Sequence, residues 1–531
     1  MSGEYAAVIL FAGRLSPVGL EKVFDGKSAF ALALRKAAAF PTARKIVVLA
    51  TEDFDETLLP QSVEQIELVR EASWNRKNFL HALSKAGEGF SLSYFAWADC
   101  PFMDPKLAGA LADRHIRGAA EYSYSDGWPE GLSPEILSPG TAGILAKING
   151  DDETPVERDT IFAVLQKDIN AFDIETEISP VDLRHHRLTL AACSRRNLLL
   201  LRRFWEEGIA ASDSSAAFVE SAIARKPSLL RTLPAFYQIQ TTAACPQRCA
   251  LCPYPKSSHF EYATADSPKT ENSFIKANDF ARLLDKIVDF SDDAVIDLSL
   301  WGEIALHPQK IELIEAVLTR PGLSLVIETS GIGWKKADFE LLAAKSAAAA
   351  PRKNGMAAVS WIISLDAADE KYYARLRGNG FNEAVEAARS VIALFPKDSY
   401  VQAVRTKGNE EGIEKFYRFW KAERANIIIQ KYDSFCGLLP DLSAADLSPV
   451  NRSPCWHLMR DMPVLLDGSV PVCRSGAGPD GDKAADSVLG NAFAESLDAI
   501  WSRGQARYER QCEGSYDRPC SECDEYYTFN F

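Results

Sequence analysis

Thr241-Thr242-Ala243-Ala244-Cys245-Pro246-Gln247-Arg248-Cys249-Ala250-Leu251-Cys252 carries three cysteines in the spacing C-x3-C-x2-C. Three thiolates on one short loop suit an iron–sulfur cluster whose fourth iron has no protein ligand and can bind a reactant. A structural zinc site would need a fourth ligand, usually from a second pair. His259 is the only nearby candidate, and the next cysteine is Cys436. Disulfides require an oxidising compartment. The chain has 11 Cys, an odd number, and its start, Met1-Ser2-Gly3-Glu4, is acidic. The apolar run Ala6 to Ala12 that follows is too short for a secretory signal, so a cytoplasmic location is expected.

Downstream of the loop, apolar β-rich runs recur at Phe236–Thr241, Ala294–Leu300, Leu323–Glu328, Val359–Leu365, Tyr400–Arg405 and Asn426–Gln430. Helical patterns at Ala277–Phe290, Lys310–Leu318, Asn382–Leu394 and Glu410–Trp420 fall between them. Six strands alternating with helices predict a parallel sheet curling into a partial (β/α)6 barrel. Ligand sites in such folds lie at the carboxyl ends of the strands, and the Cys loop directly follows the first.

The length, 531 residues, gives a prior of about three domains. Three regions separate: 1–230, 234–440 and 450–531. Lys226-Pro227-Ser228 and Leu233-Pro234 mark the first boundary, and Pro440 to Pro449 reads as a linker rich in turn formers. A net charge of −14 without a basic tail argues against a nucleic-acid partner. No segment approaches the roughly 18 to 20 apolar residues of a membrane span.

The last region contains Cys455, Cys473 and Cys520-Ser521-Glu522-Cys523, with Asp467-Gly468 between two apolar runs as a hairpin signal. A hairpin there would bring Cys455 and Cys473 together, and the terminal pair completes four thiolates. Four cysteines suit zinc and a [4Fe–4S] cluster about equally. Cys436 and Cys512, like Cys100 and Cys193, read as ordinary small buried residues.

The first region has the buried-strand run Tyr5–Phe11, the turn Ala12-Gly13-Arg14, a helix over Ser28–Ala39 and a strand over Lys45–Ala50. A further strand ends in Ala98-Asp99-Cys100-Pro101, and Asp104 caps a helix with Pro105 in its first turn. This is a doubly wound, Rossmann-like pattern, with its ligand expected at strand carboxyl ends and Gly13 open to a phosphate.

The Cys triplet, and the order of elements after it, resembles the radical S-adenosylmethionine superfamily from about Pro234 to Phe531. The resemblance implies a [4Fe–4S] cluster on Cys245, Cys249 and Cys252, and S-adenosylmethionine held by further residues. Gly302-Glu303, after the second strand, would hold its amino group, with Ile304 where proline is common. Ser364 and Asp366, ending the fourth strand, would meet the ribose, and an arginine before Gly378, Arg377 over Arg375, the methionine carboxylate. Thr329-Ser330-Gly331 would floor the adenosine, with Ser330 its polar contact. Leu251 stands where the family often has an aromatic residue; Tyr254 follows.

The C-terminal blocks resemble the SPASM or shorter twitch module, which turns the four-cysteine set Cys455, Cys473, Cys520 and Cys523 toward an auxiliary [4Fe–4S] cluster. The first region resembles sugar-nucleotide nucleotidyltransferases in Gly13, Arg14, Lys22, Asp99 and the run Asp182 to Thr189, which implies a nucleotide and Mg²⁺. It departs from them at Leu190-Ala191-Ala192-Cys193-Ser194, which has no second metal-binding Asp. Together the three regions resemble spiro-SPASM proteins. The implied activity is radical hydrogen abstraction, as an oxidoreductase or maturase, from a peptide or protein side chain. A sugar nucleotide or carbohydrate substrate, or a bifunctional nucleotidyltransferase, is the alternative. A low-potential electron donor such as flavodoxin or ferredoxin is the implied partner.

Overall fold

The computed structural model describes residues 5–59, 66–264, 273–477, 487–518 and 520–528. It forms two compact units, Met1–Leu230 and Arg231–Phe531. No helix among the described residues is long and apolar enough to cross a membrane.

In the second unit the strands follow chain order across one parallel sheet: Phe236–Ile239, Ala294–Asp297, Leu323–Thr329, Val359–Ser364, Ser399–Arg405 and Asn426–Lys431. The strands read as continuous apolar runs because helices cover the sheet, and Val359–Ser364 is buried along its whole length. Each helix buries one stripe. In Ala277–Ser291 it is Phe280, Leu283, Leu284 and Ile287, spaced three and four apart. Helix Lys336–Ala348 fills the crossover between the third and fourth strands.

A seventh strand, Asp461–Val464, comes from the cysteine-bearing region and pairs in parallel with Phe236–Ile239. This corrects the hairpin expectation. Asp467-Gly468 does make the tight turn, with Gly468 N–H donating to the Leu465 carbonyl at 2.9 Å. Ser469–Pro471, however, pairs antiparallel with Val488–Asn491. Across the turn, Leu465 N–H donates to the Ser469 carbonyl at 2.8 Å, so the two arms meet at the turn without pairing along their strands. Residues of the expected linker form no helix or strand, and Thr406 bridges to Ser443.

The first unit is a seven-stranded sheet in the order Ile66–Glu71, Ala43–Thr51, Ala6–Phe11, Leu92–Trp97, Glu135–Leu137, Tyr122–Asp126, Ile174–Ile178. Only Glu135–Leu137 runs antiparallel to its neighbours. The order reverses between Ala6–Phe11 and Leu92–Trp97, the switch point where doubly wound sheets open a crevice. Asp104 is fully buried because it caps two helices. Oδ1 accepts from Lys106 and Leu107 N–H, and Oδ2 from the Ser214 hydroxyl and Ala216 N–H.

Candidate functional site

The Cys loop is fastened at four points. Ala244–Cys245 pairs in parallel with Glu261–Tyr262. Ala250 N–H donates to the Leu376 carbonyl at 2.8 Å, and Glu303 N–H to the Ala244 carbonyl at 2.8 Å. Gln247 Nε2 donates to the Tyr373 hydroxyl at 2.8 Å. All three cysteines line one cavity with Gly302, Glu303, Ser330, Ser364, Asp366 and Arg377. His259 is exposed, which removes the fourth ligand a zinc site would need.

Burial pushes the Cys252 thiol up to about 12 and raises Cys245 and Cys249 as well. Beside Cys249 the Arg377 guanidinium, its Nη1 4.0 Å from Sγ, works against that rise. Three crowded, half-buried thiols become thiolates together only when a metal centre supplies positive charge. The donor set therefore fits an iron–sulfur cluster bound by three cysteines.

Gly302, at φ +93°, sits where a Cβ would fall 2.1 Å from the Thr242 carbonyl oxygen, so only glycine lets this turn approach the loop. Trp301 stacks on buried Tyr254 with ring centroids 6.0 Å apart, so Tyr254 supplies the aromatic cover that Leu251 does not. Glu303 is not free as the resemblance implied. Its Oε1 accepts from Ala305 N–H and the Thr329 hydroxyl (2.6 Å), its Oε2 from Ser330 N–H (2.9 Å) and hydroxyl (2.7 Å). Four donors fill a carboxylate. Ser330 likewise spends its hydroxyl on Glu303, so the two residues lock the ends of the second and third strands together.

Ser364 donates to Glu328 Oε1 at 2.7 Å, and Gln402 Nε2 donates to the same oxygen at 2.7 Å. Asp366, at φ +60°, accepts from Val404 N–H at 2.7 Å and from Arg377 Nε at 2.6 Å. Its carboxylate thus orients Arg377, whose side chain is 13% exposed, where the sequence suggested a ribose contact. Arg375 is exposed and lies over Tyr372. Of the two arginines that spacing left open, Arg377 lines the cavity and Arg375 is not among its lining residues.

The cavity continues to Asp297, Glu328, Gln430, Lys431, Asp433 and Arg474, none singled out in the sequence. Burial pushes Asp297 and Asp433 up to about 6. Arg474, half-buried, has Asp433, Glu525, Glu328 and Asp297 as electrostatic neighbours, and Lys431 pairs with Asp524 at 2.8 Å and with Glu525. A usable signal existed: Asp297, Glu328, Ser364, Gln402 and Gln430 put one polar residue on each of five strands toward its carboxyl end.

Arg474 follows Cys473, and there the second set of thiols lies. Cys455 has Cys473, Cys523 and Cys520 as electrostatic neighbours. Cys436, read in the sequence as an ordinary residue, has Cys523 and Cys473 as electrostatic neighbours. Cys512 packs in the apolar cluster around Cys455, Leu458 and Tyr508, as a small apolar residue would. Cys100 is buried, whereas Cys193 is exposed, against expectation.

In the first unit Gly13, Arg14 and Asp99, three of the four expected nucleotide residues, are engaged elsewhere. A Cβ on Gly13 would fall 2.3 Å from Trp74 Cδ1, so this glycine accommodates a ring, not a phosphate. Arg14 pairs with Glu157 at 2.6 Å and donates to the Val156 carbonyl at 2.9 Å. Lys22 is exposed. Asp99, 4% exposed, accepts from Arg158 Nη2 at 2.6 Å, and Arg158 also reaches Glu130 at 3.2 Å and lies over Trp97. A carboxylate neutralised by a guanidinium does not offer itself to Mg²⁺. These residues do not fit a metal–nucleotide site, which corrects that expectation.

Comparison with known proteins agrees with the geometry of the second unit. Residues 239–419 match the radical SAM superfamily, and residues 455–524 match SPASM, an iron–sulfur cluster-binding domain. An uncharacterized protein of Treponema pallidum (strain Nichols) is 37% identical over 380 residues, covering 70% of this chain and 98% of that protein. Among solved structures, Streptococcus suis SuiB bound to the precursor peptide SuiA is 16% identical with a TM-score of 0.39, over 59% of this chain and 75% of that one. A cytidylyltransferase from Leptospira borgpetersenii serovar Hardjo-bovis is 17% identical with a TM-score of 0.36, over 43% of this chain and 97% of that one. With three thiols, the Gly302 turn and the Asp366–Arg377 pair around one cavity, and a second thiol group beside Arg474, the chain belongs to the radical S-adenosylmethionine superfamily and carries a SPASM domain.

Proposed function

We propose that this enzyme abstracts a hydrogen atom from a side chain of a peptide or protein and releases an oxidised or rearranged product. When bound, the two clusters supply one-electron chemistry, reductive cleavage of S-adenosylmethionine to methionine and a 5′-deoxyadenosyl radical at the first and an electron acceptor at the second. Cys245, Cys249 and Cys252 hold the first. Cys455, Cys473, Cys520 and Cys523 are the thiols proposed for the second. Arg377, oriented by Asp366, takes the methionine carboxylate, and the Gly302 turn and Ser364 line the rest of the cofactor's place. Trp301, Tyr254 and Phe435 form an aromatic wall that keeps water from the radical.

The observation that carries this reading is the single cavity running from the three cysteines to Arg474, next to Cys473. Gln402 and Gln430 carry both donors and acceptors, as a peptide backbone requires. Lys431 and Arg474 line the cavity together with Asp297, Glu328 and Asp433, so both signs of charge are present with carboxylates in excess. That excess repels a diphosphate and disfavours a sugar nucleotide. The Asp99–Arg158 pair removes support for nucleotidyl transfer in the first unit.

Two measurements test the reading. Incubating reduced enzyme and S-adenosylmethionine with a perdeuterated peptide pool is expected to place deuterium in 5′-deoxyadenosine, read by mass spectrometry. Label arriving only from a perdeuterated sugar-nucleotide pool would overturn the substrate assignment. Arg377→Lys, which loses the planar fork, is expected to raise the Kd for S-adenosylmethionine roughly tenfold or more in equilibrium dialysis. An unchanged Kd would remove Arg377 from the cofactor's contacts.

A further inference from the structure

We propose that the peptide side chain admitted to the radical cavity is a cation, the ammonium of a Lys or the guanidinium of an Arg, received by Asp297 and Glu328. This rests on the peptide reading of the cavity and narrows it to one class of side chain. Sheet register brings the two carboxylates together. Asp297 pairs with Val326 on the neighbouring strand, so Glu328, two residues further on, shares its face. Both line the cavity.

Neither carboxylate is filled. Asp297 is 7% exposed; its Oδ1 accepts from Ser299 N–H at 2.9 Å, and its Oδ2 has Gln238 Nε2 at 3.5 Å. Half-buried Glu328 spends Oε1 on the Ser364 hydroxyl and Gln402 Nε2, and its Oε2 has no hydrogen-bond partner among the described residues. An ionised carboxylate offers about four acceptor positions, so both have room for further donors.

The neighbouring cations are committed. Arg377 Nε binds Asp366 at 2.6 Å, and Lys431 binds Asp524 at 2.8 Å and Glu525 as well. One oxygen each of Asp433, Asp524 and Glu525 lie within 4.8 Å of one another, so three carboxylates share that lysine. Arg474 lines the cavity but forms no direct ion pair among the described residues. Five carboxylates in and behind this wall therefore face two cations, Lys431 and Arg474. Such a surplus, buried or half-buried, is costly unless a positive group completes it.

A second feature of the cavity points to the same ligand. Trp301, 7% exposed, lines it, and its indole N–H has no hydrogen-bond partner among the described residues. The N–H groups of Trp361 and Trp420 are unpartnered too, but those rings lie in the apolar core and line no part of this cavity. A donor at Trp301 suits a peptide carbonyl. Its ring, with Tyr254 at 6.0 Å and Phe435 at 5.6 Å between centroids, gives the aliphatic stem of Lys or Arg an apolar wall and the charge an aromatic face.

The test uses reconstituted full-length enzyme and two synthetic pools of perdeuterated peptides, identical except that every Lys and Arg of the first is Gln in the second. Deuterium in 5′-deoxyadenosine is read by mass spectrometry. The first pool is expected to deliver label roughly tenfold faster or more. Equal rates would overturn the cation proposal and leave the peptide reading standing. Label from neither pool would overturn the peptide reading, and this proposal with it. The combined Asp297→Asn, Glu328→Gln protein keeps the shape of both side chains. It is expected to draw label from the two pools within about threefold of each other, with its Kd for S-adenosylmethionine unchanged in equilibrium dialysis. A fold defect slows both pools alike, so a preference kept at the level of the unmodified enzyme would overturn the assignment of these two residues. A Kd for S-adenosylmethionine raised roughly tenfold would give the pair to the cofactor and overturn it as well.

Discussion

Changing Cys245, Cys249 and Cys252 together to Ala is expected to halve the iron of anaerobically reconstituted protein, from about eight per chain to about four, and to end release of 5′-deoxyadenosine. The loop has supports that do not involve sulfur: the Ala250–Leu376, Glu303–Ala244 and Gln247–Tyr373 hydrogen bonds remain. The variant therefore keeps its barrel, and the loss isolates ligation. The remaining thiols cannot substitute, because they belong to a separate group beside Arg474 and saturate the irons they bind. Colorimetric iron assay and mass spectrometry of the quenched reaction read the two quantities independently. Retained cleavage would refute the assignment of the first cluster. Loss of all iron would instead show that the second group binds none.

The barrel was legible because its strands are buried, which writes them as apolar runs such as Trp361-Ile362-Ile363. The Cys triplet was legible because its ligands are close in sequence. What could not be read depends on side chains meeting across the fold. Asp99 and Arg158 are 59 residues apart, so nothing local told that the carboxylate was already paired. Asp366 reaches Arg377 because its own backbone turns to φ +60°, a conformation residue type alone does not announce. Glu303 offers its carboxylate to Thr329 and Ser330 only because adjacent strands end level with one another. The Asp467-Gly468 turn was right as a turn, but its second arm, Ser469–Pro471, pairs with Val488–Asn491, a partner the local sequence does not announce. Cys436 was passed over for the same reason: its spacing says nothing, and Cys523 and Cys473 become its electrostatic neighbours only in the fold.

Gly302→Ala is expected to destabilise the barrel unit by about 3 kcal/mol or more and to lose the first cluster while the second remains. Two costs combine. An alanine at φ +93° pays roughly 1–2 kcal/mol for the left-handed conformation. Its Cβ would also fall 2.1 Å from the Thr242 carbonyl oxygen, a distance no contact tolerates. Relief requires Thr242 to move, and Thr242 is fully buried with its hydroxyl accepting from Ala244 N–H at 2.9 Å. Displacing it displaces Ala244 and Cys245, the start of the ligand loop. Gly378→Ala separates the two costs, because Gly378 has φ +97° and a Cβ there would meet nothing within 4 Å. That variant is expected to pay the backbone cost alone, about 1–2 kcal/mol, and to keep the full iron content. Denaturant melts of the two variants and iron per chain after reconstitution give the comparison. If Gly302→Ala melts with Gly378→Ala and holds all of its iron, the close approach of the Gly302 turn to Thr242 is not what sets the position of the cysteine loop.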